Sequence, residues 1–354
     1  MPLKTPSSPH FHGPDTVTKV MMRVALALLP AFVVHVVLFG SGVLINLVLA
    51  SATALACEAL MLALRRRPLL MFLTDGSALV TAMLIALALP PLAPWWIPVV
   101  GTAFGIIFAK HIYGGLGYNP FNPAMVAYVV LLIAFPIEMT TWPAPILLND
   151  QMLDLGQSLA LVFHANLPAG MALDAITTAT PLDTLKTQLG LDHSVGEIFS
   201  TLNIYGHMGG TGWEWINVAL IFGGLFLIWR KTITWHVPVG MLGSLALIAL
   251  VFNLIDGERY ASPLFHIFTG GAILGAFFIA TDPVSGATTP MGRLVFGIGV
   301  GLLTYIIRTW GGYPDAVAFA VLMMNMAAPT IDHYTQPRVF GRTRDGRPNC
   351  SRSK

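Results

Sequence analysis

Ten stretches of the chain are apolar over lengths that cross the roughly 30 Å hydrocarbon core of a bilayer. They fall at residues 20–39, 43–64, 73–90, 95–112, 121–137, 213–229, 235–255, 262–281, 291–309 and 315–332. Each reads as a transmembrane helix, so the expected fold class is an all-α polytopic membrane protein with about ten spans. The charge count agrees: 10% of the 354 residues are charged, where soluble domains carry about 25%. With a net charge of +2 and no dense basic stretch before the C-terminal tail, nucleic acid has no electrostatic footprint to meet. The partner these residues do imply is the lipid bilayer. Two cysteines, Cys57 and Cys350, cannot supply a disulfide framework, a four-cysteine iron–sulfur site or a CxxCH haem attachment. The polar, proline-rich start lacks a short apolar core with a small-residue cleavage site, so the first apolar run is expected to be retained as a helix.

Basic residues orient the spans. With a cytoplasmic N-terminus, 16 of the Lys and Arg residues lie inside or at inner helix ends and 3 (Lys186, Arg259 and Arg308) lie outside, the asymmetry of the positive-inside bias. Both termini are then cytoplasmic and the hydrophilic stretch 138–212 is outside. The chain also repeats itself: Gly114-Gly115…Tyr118-Asn119-Pro120 leads into AMVAYVVLL as Gly311-Gly312-Tyr313-Pro314-Asp315 leads into AVAFAVLMM. Each opens the fifth span of a five-helix half. Five being odd, the halves cross in opposite senses, the inverted-repeat plan of many channels and transporters; the competing reading is that Gly-Tyr-Pro turns are common membrane punctuation. The expected organisation is a cytoplasmic segment 1–19, a first half 20–137, an outer (periplasmic) loop 138–212, a second half 213–335 and a basic cytoplasmic tail 336–354 that needs no partner beyond anionic lipid.

Within the outer loop, Asp174-Ala175-Ile176-Thr177-Thr178-Ala179-Thr180 precedes Pro181-Leu182-Asp183. Thr180 as N-cap, Pro181 at the first helical position and Asp183 near the free N–H groups make an ordinary helix start. A helix N-terminus also suits a phosphate, and a threonine oxygen there could carry a phosphoester-linked cofactor.

The motifs PPLAPWW, YGGLGYNPFNPAMVAYVVLLIAFP, ATPLDTLK, TDPVSGATTP and GGYPDAVAFAVL together resemble the family that holds the D subunit of the Rnf ion-translocating electron-transport complex and the B subunit of the sodium-translocating NADH:quinone reductase. The resemblance covers nearly the whole chain. It implies FMN attached through its phosphate, by a flavin transferase, to the threonine of a D-x-x-[ST]-x-A-T pattern. Here that pattern falls on Asp174, Thr177, Ala179 and Thr180, with Thr180 the attachment residue. A second, non-covalent flavin such as riboflavin is implied in the membrane part. Asp282-Pro283-Val284-Ser285-Gly286-Ala287-Thr288 has the same spacing, but topology puts Thr288 on the cytoplasmic face, where a helix-linking turn with Thr289 capping a helix at Pro290 accounts for it.

Other residues carry two readings each. Asn119-Pro120-Phe121-Asn122-Pro123 is either the lining of a flavin or ion site near the inner surface or a plain N-terminal turn with Pro123 in the first helical turn. Among the acids in or beside spans, Asp75 and Asp315 sit at helix starts as caps, and Asp282 lies at the cytoplasmic end of the eighth span. Glu58, roughly 10 Å from the inner end of its span, pairs with or snorkels toward Arg65–Arg67 and is the ion-path candidate. His266 is expected to be hydrogen-bonded within the bundle. Gly101/Gly105, Gly271/Gly275 and Gly297/Gly301 allow close helix approach. Trp95, Trp96, Trp142, Trp213, Trp215 and Trp310 read as an interfacial belt. No metal site is expected.

The resemblance implies a subunit in the bacterial inner membrane that works with the other subunits of the complex. The complex passes electrons between reduced ferredoxin and NAD and couples this to sodium or proton translocation. The chain has no nucleotide fingerprint, so no activity is expected from it alone. A quinone-reductase-type subunit and a channel-like or secondary transporter without redox role are the alternatives.

Overall fold

The computed structural model describes residues 16–149, 152–167, 172–313 and 315–336. The N-terminal segment 1–15, Asp150, Pro314 of the second Gly-Tyr-Pro motif and the tail from 337, with its arginines from Arg338 onward, lie outside the described residues.

Local chemistry sets the helix ends. Thr16 caps Val17–Phe39 by accepting from Lys19 N–H, and Gly40, at φ 85°, ends it. Gly42–Leu64 follows and stops at the exposed Arg65. The third apolar run shrinks to Ser77–Ala88, because Gly76 at φ 81° and Asp75 start the helix late. Trp96–Phe104 continues as a π-helix over Gly105–His111. Asn122 caps Pro123–Ala134 through Ala124 and Met125 N–H. In the second part, Trp213–Trp229, His236–Ile255, Pro290–Trp310 and Val317–Thr335 are continuous. The eighth run is not: Pro263–Phe268 ends at Thr269, and the chain resumes at Ala272–Leu274 and a π-helix over Gly275–Ile279.

Val17–Phe39, Gly42–Leu64, His236–Ile255 and Pro290–Trp310 are each long and apolar enough to cross a bilayer, and shorter apolar helices pack among them. Their outward faces are apolar: Val33 and Val37 are exposed while Leu28, Ala31 and Phe32 on the same helix are buried. Such faces belong in lipid, and the chain is a multi-pass membrane protein. Val17–Phe39 packs on Trp213–Trp229, and Pro123–Ala134 on Val317–Thr335. Gly42–Leu64 packs on Ser77–Ala88 and Trp96–Phe104, as His236–Ile255 packs on Pro263–Phe268 and Pro290–Trp310. The glycine pairs act as expected: a Cβ on Gly105 would meet the Pro123 carbonyl at 2.6 Å, and one on Gly297 the Val237 carbonyl at 2.6 Å.

The described residues of 138–212 form short helices that pack on the membrane part. Helices Pro181–Gly190 and Val195–Thr201 bury Leu182, Leu185, Val195 and Ile198 against Ala261 and Phe265. Two small departures from all-helical structure occur among the described residues: Trp142 and Pro143 pair antiparallel with Thr178 and Thr177, and Tyr205 bridges to Gly210.

Candidate functional site

Thr180 caps the Pro181–Gly190 helix, its Oγ1 accepting from Asp183 N–H at 3.3 Å. That helix is clamped to the membrane part. Lys186 Nζ donates to the carbonyls of Arg308 (3.3 Å), Tyr313 (3.4 Å) and Gly311, so it closes the C-terminus of Pro290–Trp310, where free carbonyls favour a cation. Burial lowers the Lys186 pKa, partly offset by Asp183. Tyr205 donates to the Pro181 carbonyl at 3.3 Å, and burial raises its phenol pKa.

Held this way, Thr180 borders a cavity of about 120 Å³ that reaches His35, Trp142, Trp213, Thr269 and Asp315. Three of the lining residues carry polar atoms, His35 Nδ1 and Nε2, Trp213 Nε1 and Thr269 Oγ1, that are buried without a hydrogen-bond partner among the described residues. Buried polar atoms are nearly always paired, so these mark a place for a polar ligand. The helix break forms one wall: Gly271 N–H donates to Asp315 Oδ2 at 2.7 Å, and Arg308 ties Asp315 Oδ1 (3.1 Å) to the carbonyls of His266 (2.6 Å) and Thr269 (3.2 Å). Asp315 is therefore more than the helix cap read from the sequence. The motif did not disclose the Arg308 partnership, because the two residues approach only once the helix ends at Trp310.

Of the motif residues, Thr180 borders the cavity. Asp174 and Ala179 are exposed, and Thr177 lies in the short pairing with Pro143. Thr288 is bound elsewhere: its N–H and Oγ1 both reach the Asp332 carboxylate at 2.8–2.9 Å. Thr289 accepts from Gly292 N–H at 2.9 Å and caps Pro290–Trp310, as expected of a linking turn. Two readings need correction. Trp142 is buried and, with Trp213, turns inward edge-on at 4.7 Å beside the cavity rather than joining an interfacial belt, whereas Trp95, Trp215 and Trp310 are exposed. His266 Nδ1 has no hydrogen-bond partner among the described residues; ring edges hold it, Phe265 at 5.7 Å and Tyr305 at 5.1 Å.

Glu58 is also paired differently from the expectation. Arg65–Arg67 are exposed, and the buried Glu58 carboxylate accepts from Lys110 Nζ at 2.6 Å, with His111 Nε2 at 3.6 Å. Lys110 also donates to Ser77 Oγ at 2.8 Å, and Ser77 to Asp75 Oδ1 at 2.6 Å. Nothing in the sequence separates Lys110 from a residue at a helix end; the π-turn carries it inward. Lys110 and Ser77 line a second cavity, of about 170 Å³, with Asn119, Asn122 and Asp282. There Asn122 is the cap of its helix, and its N–H is accepted at 3.1 Å by the Asn325 amide oxygen in the orientation that also satisfies Ser285 and Val321. The helix-start turn holds for this motif, and its asparagines also border a cavity. Among the described residues no cluster of metal-ligating side chains occurs.

A multi-pass helical protein with a broken helix and two mostly apolar cavities, each bordered by a few buried polar side chains, defines the class. Within it, the chain belongs to the NQR2, RnfD, RnfE family, whose model matches residues 4–341. It is 55% identical over 342 residues, 96% of each chain, to the D subunit of the ion-translocating oxidoreductase complex of Pseudomonas paraeruginosa. The proteins of the same name from Sodalis glossinidius and Klebsiella pneumoniae are 49% and 48% identical, over 96% of this chain and 99% of theirs.

Proposed function

We propose that this chain is the D-type membrane subunit of an ion-translocating oxidoreductase complex and relays electrons within it. The observation that carries this is the match to proteins so named at 55% identity along nearly the full length of both chains. The partners are the other subunits, which hold the ferredoxin, NAD and iron–sulfur sites that these residues cannot. Deleting the gene and restoring it on a plasmid tests this: ion gradients driven by reduced ferredoxin or NADH in inner-membrane vesicles should disappear and return. Gradients unaffected by the deletion would reject it.

The cofactor reading is FMN joined through its phosphate to Thr180 by a flavin transferase. The residues fit: Thr180 Oγ1 sits at the N-terminus of a ten-residue helix, where free N–H groups favour phosphate, and the adjoining cavity is lined by His35, Trp213 and Thr269, each with a buried unpartnered polar atom. FMN, when bound, supplies the electron transfer; the chain holds it in place and keeps its surroundings dry. We assign the second, non-covalent flavin to the inner cavity, where Asn119 Oδ1 and Thr232 Oγ1 are buried and unpartnered among the described residues.

We further propose ten spans in two inverted halves, with both termini cytoplasmic and 138–212 periplasmic. The repeated pairing of helices supports the halves: the first of each pack together, as do the fifth of each, and within each half the second lies on the third and fourth. Glu58 remains the proposed ion-path carboxylate.

A further inference from the structure

The cluster around Glu58 is short of positive charge. It holds two buried carboxylates, Glu58 and Asp75, and one ammonium, Lys110. Asp75 accepts from both Ser77 N–H and Oγ–H, and the two helix ends at the site, the start of the Ser77 helix and the end of the π-turn at Lys110 and His111, bring partial charges of opposite sign. His111 is 2% exposed, and neither ring nitrogen has a hydrogen-bond partner among the described residues; Glu58 Oε2 likewise has none. Buried net charge is costly, and one monovalent cation would neutralise the cluster.

We propose that this cation is a proton, held on His111 and shared toward Glu58, which makes the cluster a proton-binding site beside the inner cavity. Taking up the proton converts imidazole to imidazolium and leaves both carboxylates ionised; releasing it reverses the step. Sodium fits poorly, because Lys110 Nζ at 2.6 Å already occupies the cation position on Glu58 Oε1, and sodium would need several oxygen ligands beside an ammonium. On Val17–Phe39, the side chains that line the cavity are the apolar Val20, Met21 and Val24. Gly42–Leu64 adds the neutral thiol of Cys57, Pro123–Ala134 adds no charged side chain, and on the cavity's other walls Asp282 bonds Val284 N–H and Ser285 Oγ while Arg293 reaches the Ala287 carbonyl and Thr234 Oγ1. The π-turn that carries Lys110 and His111 is a geometry enriched at functional sites.

This deepens the assignment of Glu58 to the ion path, yet its observable is the charge on His111, read without any transport, so the two ideas fail separately. The test uses the full-length chain in lipid nanodiscs with ¹⁵N-labelled histidine, in sodium-free buffer near neutral pH, and His111 assigned by its loss in His111→Gln. Wild type is expected to show His111 as imidazolium. Asp75→Asn and Glu58→Gln should each turn it neutral, weakening proton binding by about tenfold or more, while Lys110→Met should leave it charged. Asp75→Asn keeps the test independent of Glu58→Gln, which strands a buried ammonium and lowers the yield of folded protein. A neutral His111 in wild type, or an imidazolium signal lost on adding sodium chloride, would overturn the proposal, the latter by revealing a sodium site.

Discussion

Single side chains decide where the chemistry can sit. Thr180 would be an unremarked helix cap but for Lys186, six residues on, which fastens the loop helix to the carbonyl end of Pro290–Trp310. Lys186→Met should free that end at a cost of about 1.5–3 kcal/mol for hydrogen bonds from a charged donor, seen as faster proteolysis of the outer loop with the helical bundle intact. The pH dependence follows from the lowered pKa of Lys186. The folded state binds this proton less firmly than the unfolded state, so docking should strengthen as pH rises through the lowered value toward the ordinary value of about 10.4. Loop protection that falls over that range would contradict this account. Glu58→Gln should lower ion transport by the complex while flavin content stays normal; full pumping in this variant would remove Glu58 from the path.

At the level of elements, close approach holds the two halves together. Trp213–Trp229 crosses Val17–Phe39 at Gly223, where an added Cβ would strike the Ala27 carbonyl and come within 3.1 Å of Phe278 Cζ. A backbone carbonyl cannot move aside as a side chain can, so Gly223→Ala should cost about 1–3 kcal/mol, measured as a lower midpoint of thermal unfolding in detergent; an unchanged midpoint would show that the helices tolerate separation. Helix positions were legible in the apolar runs, and the starts at Pro123, Pro181 and Pro290 in their proline and cap residues. The breaks were less so. The run 262–281 carries Thr269-Gly270-Gly271 at its centre, a local signal in which Gly270 takes φ 67°, but the Asp315 carboxylate that accepts from Gly271 N–H there comes from 44 residues away. The same limit applies to the sites: the helix cap at Thr180 was readable because its motif is local. The Lys110 partner of Glu58 and the inward Trp142 and Trp213 were not, since period and spacing record neither a π-turn nor which helix faces another.

For the whole molecule, the proposed orientation puts the Thr180 loop and the arginine-rich tail on opposite sides of the membrane. In a chain lacking Cys57 and Cys350, a cysteine at the exposed Thr187 should react with an impermeant maleimide in intact spheroplasts, and one at the exposed Lys231 only after lysis; the reverse pattern would invert the topology. The two cavities then lie toward opposite ends, one beside the outer loop and one beside the Glu58 cluster, an arrangement suited to coupling electron transfer on one side with ion binding near the other. Covalent flavin at Thr180 is the claim on which this account turns. In-gel flavin fluorescence of the denatured chain, co-produced with a flavin transferase, tests it in wild type, Thr180→Val and Thr288→Val. The account predicts a signal in wild type and Thr288→Val and none in Thr180→Val; a signal that survives in Thr180→Val, or is absent from wild type, would contradict it.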